Sequence, residues 1–148
     1  MTDRISTEDR FALQDLVTSY CFAVDKLGDV DGLVSLFTED AICDLSPIGL
    51  PSISGHREIR AFYEGVFEMM THHAHYMTNF IVQRLEGDEA AIRCYVMGMG
   101  NAGDGSSVLV YVDYEIDCRR TAQGWKIRKF YEKPLMPLPA ILGQLHEA

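Results

Sequence analysis

The apolar residues of this chain change their period once, near His72, and that change limits the folds open to it. Before it, Leu13, Leu16, Val17, Tyr20, Val24 and Leu27 recur at helical spacing, as do Ile59, Phe62, Tyr63, Val66 and Met70 further on. After it the pattern alternates as strands do. From Ser107 to Arg120, Val108, Val110, Val112, Tyr114 and Ile116 share one face, and Leu109, Tyr111, Asp113, Glu115 and Asp117 share the other. Helices followed by a long antiparallel meander predict one α+β domain, with the helices packed on one face of the sheet.

Local chemistry sets the boundaries. Ser6 with Asp9 opens the first helix as a capping box with the shorter acid, and Gly28 stops it. Asp29-Val30-Asp31-Gly32 opens a second helix running through Leu33, Leu36 and Phe37. A short strand over Asp40–Leu45 and a loop over Ser46–Gly55 follow. Turns at Glu86-Gly87-Asp88, Asn101–Gly105 and Thr121–Gly124 separate the later strands, the last running from Trp125 to Lys133. Pro134–Pro139 is expected to lie extended over the surface, and residues 1–5 and 138–148 to be loosely ordered. One strongly apolar sheet face implies a subunit interface, hence a homodimer or higher homo-oligomer.

With 148 residues, 47% of them hydrophobic, the chain has material for a real core but no run long enough to cross a membrane. Met1-Thr2-Asp3-Arg4 lacks the apolar stretch of a secretory signal, so a cytoplasmic location is expected. The four cysteines (Cys21, Cys43, Cys94, Cys118) lie far apart in apolar runs, which reads as buried reduced thiols. A net charge of −9 leaves no clustered basic face for nucleic acid. No nucleotide-binding glycine loop is present, and no cofactor is expected.

Chemistry concentrates in Thr71-His72-His73-Ala74-His75-Tyr76-Met77-Thr78-Asn79. Alternation places His73, His75, Met77, Asn79 and Ile81 on one face and turns His72 away. Imidazoles and an amide among apolar side chains suit a hydrocarbon-lined pocket, and histidine is the commonest general acid or base. Alternate strand residues such as His73 and His75 can share an ion, but no carboxylate or cysteine with ligand spacing completes the set, and no metal is expected. Tyr20 sits at the centre of the first helix's stripe, as a core tyrosine or as a hydroxyl aimed into a cavity. Asp25 falls on the border between that stripe and solvent.

The element order, with Tyr20–Asp25, Gly28–Ala41, Gly55-His56-Arg57-Glu58-Ile59, His75–Asn79, Tyr111-Val112-Asp113 and Gly124-Trp125, resembles the nuclear transport factor 2-like superfamily. Within it the chain looks most like the SnoaL-like branch, which includes scytalone dehydratase, bile-acid dehydratase and ketosteroid isomerase. The resemblance implies a cone-shaped α+β barrel, its N-terminal helices packed on a curved, mainly antiparallel sheet around an apolar pocket. It implies a dehydratase or isomerase acting on a small hydrophobic cyclic carbonyl compound, or a non-catalytic ligand-binding or accessory protein. Tyr20-x4-Asp25 matches the bile-acid dehydratase pattern, in which such an aspartate pairs with a sheet histidine. His75-x3-Asn79 matches the family's His-x3-Asn string, so Tyr20, Asp25 and His75 form the leading catalytic set. His73, Asn79, Tyr111 and Asp113 are secondary candidates. Asp44, before Ser46-Pro47-Ile48-Gly49, resembles the proton-shuttling aspartate of ketosteroid isomerase and is a rival base. The strand segment Ile92-Arg93-Cys94-Tyr95-Val96-Met97 carries no second histidine or aspartate where the dehydratases place one.

Overall fold

The computed structural model describes residues 4–140 and Leu142, so part of both expected loose ends lies outside the described residues. Helix α1, Thr7–Asp25, begins as the sequence predicts: the Asp9 amide donates to the Ser6 hydroxyl at 3.0 Å, and that hydroxyl donates to the Asp9 carboxylate. Asp9 also accepts from Arg120 at 2.9 Å and from the Trp125 indole at 3.2 Å, tying the start of the helix to the far end of the chain. Leu13, Leu16, Val17, Tyr20 and Val24 are buried along its inward stripe. Each contributes about 1.5–3 kcal/mol where a large apolar side chain is fully removed from water.

Helix α2, Val30–Val34, is shorter than the spacing predicts. Phe37 leaves the helix to start strand β1, Phe37–Asp44, where it is fully buried opposite Ile127. The expected loop holds a 3₁₀ turn at Ser46–Ile48 and a short strand β2, Ser52–Ser54. Helix α3, Gly55–Met69, buries Ile59, Tyr63 and Val66. Strands β3 (Met70–Glu86), β4 (Glu89–Ala102), β5 (Ser107–Thr121) and β6 (Gly124–Pro134) then form the meander.

The six strands are ordered β2-β1-β6-β5-β4-β3. The sheet is mixed rather than purely antiparallel, because β1 lies parallel to β6. It is curved and does not close on itself, so the expected barrel is an open cone with β2 and β3 at its edges. Register shifts in β3 and between β5 and β6 mark bulges, which bend a sheet. Helix α1 lies against β3 and β6 within the curve, and α3 lies over β1.

Two expectations change here. The apolar face of β5 turns inward: Val112, Tyr114 and Ile116 are buried, and Val108 and Val110 pack against the core. That face therefore offers no subunit contact. At the other end of the chain, Leu135 and Met136 are exposed after β6, whereas Leu138 packs on the core and Leu142 is buried. All four cysteines are free and buried, as expected, and burial pushes the Cys21 and Cys94 thiols up to about 12. No helix among the described residues is long and apolar enough to cross a membrane.

Candidate active site

Between α1, α3 and the inner face of the sheet lies a cavity of about 90 Å³. That is several times the ~10–15 Å³ one water needs. Val24, Ile48, Phe62, Val66 and Val110 supply much of its wall, and its polar groups are His73, His75, Tyr20, Tyr63, Tyr114 and Glu132.

Strand β3 brings both inward histidines to the last turn of α1. The helix leaves carbonyls there without intrahelical partners. His73 Nδ1–H donates to one of them, the Val24 carbonyl, at 3.2 Å. Two residues on, His75 meets the Asp25 carboxyl: Nδ1 stands 2.6 Å from Oδ1, and the His75 backbone N–H donates to Oδ2 at 3.1 Å. Two donors from one residue fix the carboxylate's position and orientation. An Nδ1–H given to Asp25 leaves Nε2 as the basic nitrogen of a neutral ring. The pair is neither dry nor fully solvated, its side chains being 16% and 24% exposed.

Space for the imidazoles comes from glycines on β4. Gly98 is paired with His75 and Gly100 with His73. A Cβ at Gly98 would lie 3.2 Å from His75 Cδ2, and one at Gly100 would lie 2.7 Å from His73 Cδ2. The rings lean over a strip of β4 that has no side chains. They stand edge to face, with centroids 5.5 Å apart. The alternating Gly98-Met99-Gly100 string was a sequence signal for this arrangement that the strand reading passed over.

At the inner end, the buried Tyr20 and Tyr63 hydroxyls are 2.5 Å apart. The Tyr20 ring packs on Tyr114 (6.2 Å between centroids) and on Phe130 (4.9 Å). Glu132 of β6 stands directly across the ladder from Tyr114, on the cavity side. Among the described residues no cation is paired with it. Burial raises its carboxyl to about 8, opposed only in part by a hydrogen bond from Tyr114. The sequence reading missed this group.

Tyr20, His73 and His75 thus line one cavity, and Asp25 stands behind the His75 ring. The other candidates do not. Asn79 is exposed and left-handed (φ 56°), at a bulge that shifts the register between Thr78 and Ile81. The bulge reverses the alternation, so Val82 is buried and Ile81 faces water. Asp44 points away from the cavity because its strand neighbour Cys43 points in, and it accepts from the Ser46 amide and hydroxyl in a local turn. Those bonds hold its carboxyl below the usual range, the wrong direction for a base in an apolar pocket. Tyr111 is exposed on the outer face. Asp113, buried on that same face, is gripped by Arg93 through three contacts of 2.7–3.1 Å. Among the described residues, no three His, Cys, Asp or Glu side chains are grouped to hold a metal ion.

A curved open sheet wrapped on a long helix around a cavity is the cone fold of nuclear transport factor 2-like proteins. The chain belongs to the SnoaL-like family: residues 6–131 match the SnoaL-like domain. A crystal structure from Novosphingobium aromaticivorans, described as a candidate aromatic ring hydroxylase, is 48% identical (TM-score 0.90), over 92% of this chain and 95% of that one. A candidate scytalone dehydratase from the same organism shares the fold at 18% identity (TM-score 0.79), over 88% and 89% of the two chains. A type 2 hexachlorocyclohexane dehydrochlorinase is 25% identical (TM-score 0.73), over 90% and 95%. No curated protein matches the sequence.

Proposed function

We propose that the protein is a dehydratase or isomerase that needs no cofactor and acts on a small hydrophobic cyclic carbonyl compound. The observation that carries this is the 2.6 Å contact between His75 Nδ1 and Asp25 at the edge of an apolar cavity. His75 Nε2 takes a proton from the carbon next to the carbonyl, and Asp25 stabilises the imidazolium that results. The electron pair moves into the enolate, whose oxygen accepts a hydrogen bond from Tyr20. The imidazolium then gives its proton to a departing hydroxide, forming water, or to another carbon, moving the double bond. The dehydrochlorinase neighbour, an elimination enzyme by name, supports this reaction class.

The test is solvent-deuterium exchange into 1-tetralone, read by mass spectrometry, which follows the first proton transfer without knowledge of the natural substrate. His75→Ala is expected to lower exchange by about 10²–10⁴-fold while the circular dichroism stays unchanged. Unchanged exchange refutes the assignment.

A second reading rests on the apolar cavity alone: a non-catalytic ligand-binding or accessory protein that holds a small hydrophobic compound without transforming it. It predicts ligand-dependent thermal stabilisation with no exchange and no product. The expected homodimer or higher oligomer belongs to either reading, through the outer sheet face where Tyr76, Ile81, Leu109 and Tyr111 are exposed.

A further inference from the structure

The inner end of the cavity carries chemistry that the His75–Asp25 pair does not use. Glu132 and Tyr114 form a cross-strand pair on the inner face of β5 and β6. Both are buried and both line the cavity. Tyr114 packs edge-on against Tyr20, and Tyr20 is joined to Tyr63. Three hydroxyls and a carboxyl therefore gather at one end of an otherwise hydrocarbon space. A carboxyl without a cation in such a place is kept neutral by the cost of burying its charge, and a neutral carboxyl donates a hydrogen bond where a carboxylate only accepts.

We infer that Glu132 and Tyr114 form a binding site for an uncharged oxygen acceptor, a ketone or similar carbonyl oxygen, and that this end of the cavity turns carboxylates away. The inference rests on the reaction proposed above for its choice of a carbonyl, and it narrows the substrate class. A ligand entering this cavity presents a neutral oxygen to the inner end and keeps any carboxylate outside it. A ligand carboxylate there would lose its hydration with no cation among the described residues to answer it, and would meet a second negative charge wherever Glu132 is ionised.

The groups around Glu132 make its protonation readable. Tyr20 and Cys21 of α1, Cys43 of β1, Tyr63 of α3, Cys94 of β4 and Tyr114 of β5 all interact with it electrostatically or by hydrogen bonding. Burial raises each of these thiols and phenols above its ordinary value. Among the described residues, His73 and His75 are the other titratable side chains named in the cavity wall outside this cluster, and Glu132→Gln, which leaves both in place, separates their contribution from that of Glu132.

The experiment measures binding of 1-tetralone, and of 1-naphthoate as a carboxylate of similar size, by calorimetry at pH 6 and pH 9. Wild type, His75→Ala, Glu132→Gln and Glu132→Leu are compared after circular dichroism has verified folding. In wild type and His75→Ala, 1-tetralone is expected to bind at pH 6 and to weaken about tenfold at pH 9, where roughly a tenth of the carboxyls stay neutral. Glu132→Gln, a neutral donor at either pH, keeps the affinity and loses the pH response. Glu132→Leu binds weakly at both, and 1-naphthoate fails to bind wild type at either. Absence of 1-tetralone binding at pH 6, a pH-independent wild type, equal affinity in Glu132→Leu, or 1-naphthoate binding as tightly as the ketone each overturns the inference. No turnover is measured and His75→Ala is included, so failure here leaves the His75–Asp25 chemistry standing, and failure of the exchange assay leaves this site standing.

Discussion

Two carboxyl groups serve the same cavity, Glu132 in its wall and Asp25 behind the His75 ring, and the protein partners them in opposite ways. Asp25, at the end of α1, receives a ring N–H and a backbone N–H from a single residue. Glu132, on β6, has hydroxyls for company and, among the described residues, no cation. Burial alone does not separate such cases, because Asp113, one strand away on the outer face, is also buried yet is clasped by a guanidinium. The partners differ: Asp25 has N–H donors and Asp113 a guanidinium, whereas Glu132 has apolar walls and a phenol, and burial pushes its carboxyl up. One end of the cavity thus carries an imidazole backed by a carboxyl group, and the other a buried acid.

The largest expected effect comes from breaking the first carboxyl. Asp25→Asn keeps the shape but removes the charge and can present an N–H to His75, favouring the wrong tautomer. Deuterium exchange into 1-tetralone should fall about 10³-fold with the far-ultraviolet spectrum unchanged. Next comes the stability contributed by the second carboxyl. Glu132 titrates at about 8 in the folded protein, against an ordinary value of 4.5. The folded state thus holds a proton that the unfolded chain has lost, and stability declines as pH rises between those values. Urea unfolding at pH 5.5 and pH 8 should show wild type losing on the order of a few kcal/mol over this interval. Glu132→Gln should lack that component of the slope. The smallest effect comes from crowding the first pair: a methyl at Gly98 would sit 3.2–3.3 Å from His75 Cδ2 and Nε2. Gly98→Ala should shift the ring by a few tenths of an ångström and cost about tenfold in exchange, with little change in melting temperature.

Much of this architecture could be read from residue spacing. The capping box at Ser6, the stripe through Leu13 and Tyr20, and the turns at Gly87 and Gly124 all appear where the pattern puts them. The meeting of Asp25 with His75 came from the family resemblance, since helical geometry alone left Asp25 at the edge of solvent. Bulges defeated the rest. Counting by twos from His73 sends Asn79 inward, but its left-handed backbone absorbs the extra residue and the strand changes face. Counting by twos from Trp125 sends Glu132 outward, but the register slips at Arg128, so Ile127, Phe130 and Glu132 all point in. A charged residue among Lys126, Arg128, Lys129 and Lys133 reads as solvated unless that slip is known. Alternation is a reliable guide only between bulges.

The parallel pairing of β1 with β6 sets a timetable for biogenesis. As the chain leaves the ribosome, α1, β1 and α3 emerge long before the strand that separates β1 from the meander. Phe37 and Cys43 find their ladder partners Ile127 and Phe130 only after α3 and strands β3 to β5 have been made. Closure is thus a late, long-range event, of the kind that slows folding. The nascent protein carries an unfinished sheet edge and a half-covered helix until its final strand arrives, and the acid at the inner end of the cavity is delivered with that strand.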